Sequence, residues 1–171
     1  MTTIRTLRRP NSPLEIYRRL MKRFGRTKTA MVLFRRTAPV ADRFVSKISG
    51  GRHTAVGIVV PTLILTHIGR KSGRRYDSPL MYLPLDGNFV VAGSNWGRAE
   101  HPGWSDNLLA HPDATVVVGG ETLAVRARLA SAQERRHLWA QLAENWPPFT
   151  TYAKRAGDRE IRVFVLEPLR L

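Results

Sequence analysis

The sequence contains no cysteine among its 171 residues. This absence excludes disulfide scaffolds, thiolate metal sites and cysteine nucleophiles, and it favours a reducing compartment. Long apolar runs are also absent: none approaches the roughly 20 residues that span a bilayer, and the first residues lack the apolar core of a signal peptide. We therefore expect a cytoplasmic protein that folds as one globular unit, because a chain of this length suits a single domain.

Acidic residues are scarce, and their distribution is uneven. The chain has 28 Lys and Arg against 13 Asp and Glu, a formal net charge of +15. Residues 1–55 hold 14 of the cations but only Glu15 and Asp42, which leaves this region at +12. Such a field attracts nucleic acid, anionic lipid or a polyanionic ligand. We predict a basic helical extension over 1–55 and a binding domain over 56–171, which together form a single globular unit.

An amphipathic helix is predicted close to the start of the chain. Ser12 can cap it, Pro13 suits the first helical position, and Glu15 completes the capping pattern. One face of the segment 13–24 is apolar, whereas the other face carries four cations, Arg18, Arg19, Lys22 and Arg23. Two interpretations stay open: the apolar face packs on the rest of the domain, or the helix lies on an anionic membrane at the inner face of the cell membrane.

Strand patterns dominate from residue 56 onwards. The runs VGIVV, TLILTHI, RYDSPLMYLPL and NFVVAGS come first, and Asp86-Gly87 joins the last two as a hairpin. ATVVV and ETLAVRARL form another hairpin across Gly119-Gly120, and IRVFVLEP closes the chain. In ETLAVRARL, four apolar residues alternate and are expected to face inward: Leu123, Val125, Ala127 and Leu129.

Two helical segments interrupt these strands. HPGWSDNLLAHP predicts a short helix, and Ser131 with Glu134 caps a longer one that continues through Leu142. Because short hairpins replace any regular βαβ alternation, we predict an α+β fold, a small antiparallel barrel with flanking helices.

The stretch THIGRKSGRRYDSP, residues 66–79, places two glycines and five basic side chains between apolar runs. It lacks the spacing of a Walker A loop. Its glycines allow backbone amides to approach a ligand, while Ser72 and the cations Arg70, Lys71, Arg74 and Arg75 supply donors for an anion. A solvated hairpin tip explains the composition equally well.

Four motifs in register resemble the deazaflavin-dependent nitroreductase family of flavin and deazaflavin oxidoreductases. They are LTHIGRKSGRR, SPLMYL, VVAGSNWGRAEHPGWSDNLLAHP and VFVLEP, spread over about residues 60 to 168. The resemblance implies a split β-barrel of the FMN-binding type and coenzyme F-420, a deazaflavin whose ribityl, phosphate, lactyl and oligoglutamate tail is a polyanion. It also implies reduction of an electron-poor lipophilic acceptor such as a quinone, nitro compound or activated enone.

The resemblance carries over a set of candidate cofactor-binding residues. The loop and the following strand contribute Arg70, Lys71, Ser72, Gly73, Arg74, Arg75, Tyr76, Asp77, Ser78, Pro79, Leu80 and Met81. The next strand end contributes Ala92, Gly93, Ser94 and Asn95; the short helix contributes Trp104 and Asn107; and a late helical region contributes Phe149. Some members place a lysine where Asn95 stands. Phe149 takes the position of a family tyrosine, which makes Tyr152, one turn later, the candidate catalytic residue. Trp104 suits the core as well as the cofactor.

The sequence also bears on another cofactor, another class of function and a metal site. FMN would use the same loop, although Arg74 and Arg75 favour the longer anionic tail. A non-catalytic basic module on membrane or nucleic acid is the alternative from another class, but no nucleic-acid motif is present. His53, His67 and His137 share no metal-ligand spacing, so no metal site is expected. We expect a small-molecule acceptor and no nucleic acid as partners, and a homodimer stays open.

Overall fold

The structure is a computed structural model that describes residues 61–169. The predicted basic extension over 1–55, its helix and the strand predicted at 56–60 lie outside the described residues. Between residues 61 and 169, none of the helices is long and apolar enough to cross a membrane.

Six antiparallel strands close into a barrel in the order β1-β2-β3-β6-β5-β4. They are β1 (Thr62–Ile68), β2 (Arg75–Leu85), β3 (Asn88–Ala92), β4 (Asp113–Val118), β5 (Glu121–Leu129) and β6 (Val163–Pro168). Three helices flank the barrel: α1 (Gly103–Ala110), α2 (Ala132–Asn145) and α3 (Pro148–Ala156). A short 3-10 turn over Asn95–Gly97 follows β3. The predicted small antiparallel barrel with flanking helices is confirmed.

Local sequence chemistry explains both predicted hairpins. Asp86 and Gly87 adopt φ values of 51° and 79°, and Gly119 and Gly120 adopt 61° and 89°. Two successive left-handed residues match the twist of the strands that they join, and glycine adopts this conformation without a Cβ clash. At the start of α2, the backbone N–H of Glu134 donates to Ser131 Oγ over 3.3 Å, which confirms the predicted cap.

Apolar side chains form two packed clusters. The first fills the barrel under α1 and includes Leu63, Leu65, Val125, Trp104 and Phe164; the second lies under α2 and α3 and includes Leu138, Leu142, Phe149, Tyr152 and Ile161. Of the predicted inward row on β5, Val125 and Ala127 are buried, but Leu129 is 47% exposed. The prediction for Leu129 is therefore wrong. Alternation sets the face of a strand residue, but it does not show whether anything packs over that face where the strand ends.

Candidate functional site

The loop between β1 and β2 is a tight turn held by its own backbone. The N–H of Gly69 donates to Arg74 O and the N–H of Gly73 donates to Gly69 O, each over 2.8 Å. Gly73 has φ +65°, a left-handed conformation that favours glycine. A Cβ on Gly69 would lie 2.6 Å from both Ser72 Oγ and the Tyr76 ring, so a larger residue there would displace these two side chains.

The loop presents cations that are only partly neutralised. Arg70 lies 3.5 Å from the Asp106 carboxylate on α1. Lys71, Arg74 and Arg75 are exposed and make no ion pair with any residue between 61 and 169. A cluster of exposed like charges without counter-charges is typical of a surface that binds an anion.

Two backbone donors of the loop are also unused. Over the described range, the N–H groups of Lys71 and Ser72 have no acceptor, whereas the neighbouring N–H of Arg70 is bonded. Ser72 Oγ lies 3.1 Å from the Tyr76 hydroxyl and accepts from the N–H of Arg74 over 3.3 Å. The pKa of Tyr76 is lowered, first by the hydrogen bond with Ser72 and then by Arg74. Free amides beside fixed cations suit a phosphate oxygen.

A buried chain of hydrogen bonds supports the loop from behind. Asn107 Oδ1 on α1 accepts from the N–H of Arg70 over 3.0 Å. Asn107 Nδ2 lies 3.0 Å from Nδ1 of His67, and His67 Nε2 lies 3.1 Å from Ser78 Oγ on β2. The candidate residue Asn107 is thus placed at the back of the loop and binds its backbone.

Asp106, the residue before Asn107, connects the loop with Arg162, the residue that precedes β6. Its Oδ1 accepts from Arg162 Nη1 over 2.6 Å, and the same guanidinium nitrogen lies 3.2 Å from Ser105 Oγ. The pKa of Asp106 is lowered, chiefly by the hydrogen bond from Arg162. Because Asp106 also meets Arg70, one carboxylate links the loop, α1 and the segment before β6.

A second group of candidate residues lies at the end of β3. The N–H of Gly93 donates to Arg162 O over 2.8 Å, so Arg162 contacts both groups. The guanidinium of Arg159 donates to the backbone oxygens of Gly93 (3.1 Å), Ser94 (2.8 Å) and Arg98 (2.8 Å). Asn95 Nδ2 donates to Glu100 O over 2.9 Å. The side chain of Asn95 therefore holds its own loop, in contrast to the lysine of some family members.

The 3-10 turn after this strand end has an unusual backbone. Asn95, Trp96 and Gly97 have φ values of 45°, 58° and 76°. A Cβ on Gly97 would lie 2.6 Å from Tyr152 O and 2.7 Å from Arg155 Cβ, so the turn packs directly on α3. Left-handed non-glycine residues cost free energy and persist only where the surroundings fix them, as Arg159 and α3 do here.

The aromatic candidates separate by burial. Trp104 packs on Phe164 with ring centroids 5.7 Å apart, and Phe149 and Tyr152 are 3% and 2% exposed. Burial raises the pKa of the Tyr152 hydroxyl. Trp96 is 37% exposed and meets the Tyr152 ring edge-on at 5.8 Å. The exposed aromatic side chain near the strand end is therefore Trp96, which the sequence analysis did not select.

The candidate residues of β2 divide between the exposed first half of the strand and its more buried second half. Tyr76, Asp77 and Pro79 are exposed, and Asp77 accepts a hydrogen bond from Thr66 Oγ1 over 2.6 Å. Leu80 packs against the barrel cluster and Met81 against the cluster under α2 and α3. The first half of β2 is thus grouped with the loop, and the second half contributes to the core.

Comparison with known proteins identifies the family. Residues 35–168 match the model of a family described as F420H(2)-dependent quinone reductase. The chain belongs to this F420H(2)-dependent quinone reductase family. Membership confirms the predicted deazaflavin family and the oxidoreductase class, and the coenzyme in the family's name is the predicted coenzyme F-420.

Individual relatives match a little under two thirds of this chain. Rv3178 of Mycobacterium tuberculosis, provisionally named as an F420H(2)-dependent quinone reductase, is 38% identical over 109 residues, which are 64% of this chain and 91% of the relative. Rv1261c of the same organism, an F420H(2)-dependent quinone reductase, is 30% identical over 109 residues, 62% of this chain and 72% of its own.

Solved structures share the fold of this reductase. A structure described as an F420-H2 dependent reductase, FDR-A, has a TM-score of 0.58 at 34% identity and covers 63% of this chain and 94% of its own. Another, described as a domain-swapped dimer, has a TM-score of 0.60 at 31% identity and covers 73% and 95%. These neighbours confirm the split-barrel fold.

Proposed function

We propose that this reductase binds the phosphate and tail of coenzyme F-420 with the loop between β1 and β2, and reduces a quinone. The observation that carries the proposal is the combination of Lys71, Arg74 and Arg75 without ion pairs and the N–H groups of Lys71 and Ser72 without acceptors. These groups fit a phosphate ester, because charge-assisted bonds from cations and amides are the strong form of anion recognition.

The tail of the coenzyme separates it from FMN. FMN ends at its phosphate, whereas oligoglutamate adds carboxylates. Arg74 and Arg75 are both exposed at the junction of loop and strand, and they can pair with such carboxylates. We therefore expect tighter binding of coenzyme F-420 than of FMN, and we expect Arg75→Ala to narrow that difference.

The chemistry of the reaction belongs to the coenzyme. When bound, the reduced deazaflavin supplies a hydride, and a quinone becomes a quinol when it gains that hydride and one proton. The protein holds donor and acceptor in contact and excludes competing water. Gly93 and Ala92, at the end of β3, place backbone rather than bulky side chains there, which suits a flat ring.

Trp96 is our candidate for the acceptor side. Its indole is exposed beside the strand end, and the turn that carries it is held by Arg159 and α3. A planar aromatic surface suits a planar, lipophilic quinone. Tyr152 lies beneath Trp96 with its side chain buried, so we propose that it supports the indole; its catalytic role stays a prediction.

A site-directed comparison tests the loop. Lys71→Ala and Arg74→Ala should each weaken coenzyme binding roughly ten- to hundredfold, because a lost charge-assisted contact costs roughly 1.5 to 3 kcal/mol. Arg136→Ala serves as the matched control, because it removes an exposed arginine of α2 that makes no ion pair with any residue from 61 to 169. Fluorescence titration of the coenzyme measures the dissociation constants. Equal affinity in all three variants would remove the loop from the site.

Membrane association and self-association are further proposals. The charge of +12 over residues 1–55 supports attraction of the enzyme to anionic lipid, in which lipophilic quinones dissolve. The domain-swapped dimer among the solved neighbours gives a precedent for a homodimer of this chain. Sedimentation of the purified protein would measure its oligomeric state.

A further inference from the structure

His67 is a buried histidine that neither the loop chemistry nor the hydride transfer uses directly. Its side chain is 3% exposed and comes from β1, where it continues the inward row of Leu63 and Leu65. Its two ring nitrogens meet Asn107 at 3.0 Å and Ser78 at 3.1 Å. A buried imidazole with both nitrogens engaged has one defined arrangement of protons.

The proton positions follow from one fixed donor. The backbone N–H of Arg70 can only donate, so the Asn107 atom that it meets must be the carbonyl oxygen. The amide nitrogen of Asn107 is then the atom that faces His67 Nδ1, and it must donate. His67 Nδ1 is therefore an acceptor, and its Nε2 carries the proton and donates to Ser78 Oγ.

This assignment leaves one hydrogen free. Ser78 Oγ accepts from His67, and the hydroxyl hydrogen has no other acceptor among residues 61–169. Ser78 is half-buried and belongs to the part of β2 that the family resemblance assigns to the coenzyme. The chain Arg70–Asn107–His67–Ser78 thus joins the loop backbone at one end to a hydroxyl donor at the other.

We propose that His67 is a positioning residue for the bound coenzyme, because its neutral form fixes Asn107 against the Arg70 backbone and orients the Ser78 hydroxyl as a donor. This inference rests on the proposed function of the loop. A merely structural histidine would contribute to stability, but it would not make coenzyme affinity depend on which ring nitrogen keeps its partner.

Protonation of the imidazole would break the arrangement. A second ring N–H would face the Asn107 amide nitrogen, and the amide could meet it only by turning its oxygen away from Arg70. The groups around the ring are Asn107 on α1, and Ser78, Asp77 and stacked Tyr76 on β2, with ring centroids of His67 and Tyr76 6.0 Å apart. Burial lowers the pKa of His67, and the Asp77 carboxylate partly opposes that shift. Because the pKa of folded His67 lies below the ordinary histidine value of about 6.5, we expect coenzyme affinity to fall only as the pH drops below that lowered pKa.

Two substitutions at His67 distinguish its hydrogen bond with Asn107 from its hydrogen bond with Ser78. His67→Asn places an amide oxygen near the position of Nδ1, so it keeps an acceptor for Asn107 and loses Ser78. His67→Gln reaches the position of Nε2, so it keeps the contact with Ser78 and loses Asn107. We expect the dissociation constant of coenzyme F-420 for His67→Asn to lie within about threefold of that for the unchanged protein. For His67→Gln it should be roughly tenfold higher, because the loss of one to two hydrogen bonds has an effect of this size.

The full chain is titrated with the coenzyme between pH 5 and 8, and melting curves are recorded beside it. Affinity that falls with acidification in the unchanged protein, and not in His67→Asn, supports the proposal. Equal coenzyme affinities of His67→Asn and His67→Gln at pH 8 overturn it, and so does a fall in acid that is absent from the unchanged protein or that persists in His67→Asn. If the unchanged protein fails to bind the coenzyme at pH 8, the proposed function fails instead.

Another variant and a spectroscopic measurement test the proposal even if the two His67 variants fold poorly. Asn107→Asp keeps an oxygen that accepts from the N–H of Arg70, and its second oxygen accepts a hydrogen bond from the protonated Nδ1 of His67, so the coenzyme affinity of this variant should no longer fall in acid. In the unchanged protein without coenzyme, nitrogen NMR should show His67 as the tautomer protonated at Nε2 at pH 7.5. A tautomer protonated at Nδ1, or a cation, would overturn the assignment.

Discussion

At the scale of single residues, burial and contacts distinguish the roles of Asn107, Trp104 and His67. The resemblance selected Asn107 and Trp104 together, but the structure places Asn107 behind the loop and Trp104 on Phe164 in the core. For His67, the sequence pattern excludes a metal-ligand role and predicts no other function. A signal was available: His67 alternates with inward-facing leucines on β1, and a buried histidine requires partners. Those partners come from α1 and β2, and no local pattern names them.

Trp96 gives a test at the residue scale. Trp96→Ala should lower kcat/KM for a quinone about two- to tenfold, because an aromatic contact contributes roughly 0.5 to 1.5 kcal/mol beyond its buried area. Coenzyme affinity should stay unchanged, and Trp96→Phe should restore most of the activity. Steady-state kinetics with a soluble quinone analogue, beside a coenzyme titration, measure both quantities. Loss of coenzyme affinity with normal quinone kinetics would place Trp96 on the coenzyme instead.

At the scale of elements, local chemistry predicted the strands and both hairpins. The turn residues Asp86-Gly87 and Gly119-Gly120 carry their own conformational preference, and period-two patterns mark the strands. The pairing of β3 with β6 and the closure of β1 on β4 could not be read from the sequence. These contacts join segments far apart in the chain, and apolar alternation is the same whichever neighbour a strand takes.

The turn after β3 provides a matched pair of glycines. Gly97→Ala and Gly87→Ala both force alanine into a left-handed conformation, at φ +76° and +79°. Only Gly97 has a backbone oxygen 2.6 Å from the new Cβ, whereas nothing lies within 4 Å at Gly87. Both should lose about 1 kcal/mol from the left-handed conformation, and Gly97→Ala should lose roughly 1 to 3 kcal/mol more.

Urea denaturation of the two glycine variants measures these losses. Gly97→Ala should also weaken quinone turnover, because the packing of the turn on α3 sets the position of Trp96. Equal destabilisation by both substitutions would show that the contact with α3 contributes nothing to the turn.

At the scale of the whole molecule, groups with shifted pKa values make stability depend on pH, and His67 and Asp106 are two of them. The pKa of His67 is lowered by burial, so its contribution is complete above the unfolded value of 6.5 and is lost as the pH falls below it. The pKa of Asp106 is lowered by Arg162, so its contribution is complete above 3.8 and is lost as the pH falls towards the folded value. We expect the unfolding free energy to decrease between pH 7 and 5, and this decrease to be smaller in His67→Asn. Urea denaturation at each pH measures the unfolding free energy. A value that stays constant between pH 7 and 5 in the unchanged protein would contradict the prediction.

Charge also divides the molecule into two regions. Residues 1–55 carry +12, and the remaining residues carry 14 cations against 11 acidic side chains. The loop accounts for several of those cations, and the described part of the chain pairs others with Asp113, Glu134, Glu160 and Glu167. The strongest uncompensated charge therefore precedes the barrel in sequence, and its effect should be separable from coenzyme binding.

Cosedimentation with vesicles tests the role of that charge. The full chain should pellet with anionic vesicles at low salt and less with neutral ones, since each Lys or Arg near an anionic surface contributes about 1 kcal/mol and salt screens this attraction. Arg19→Gln with Lys22→Gln should reduce the pelleted fraction. Arg136→Gln with Lys154→Gln removes the same charge from exposed positions of α2 and α3 and should leave it nearly unchanged. Equal decreases in the pelleted fraction from both pairs would show that total charge, rather than residues 1–55, governs the attraction. Coenzyme affinity should be the same in all these proteins, because none of the four positions lies in the loop.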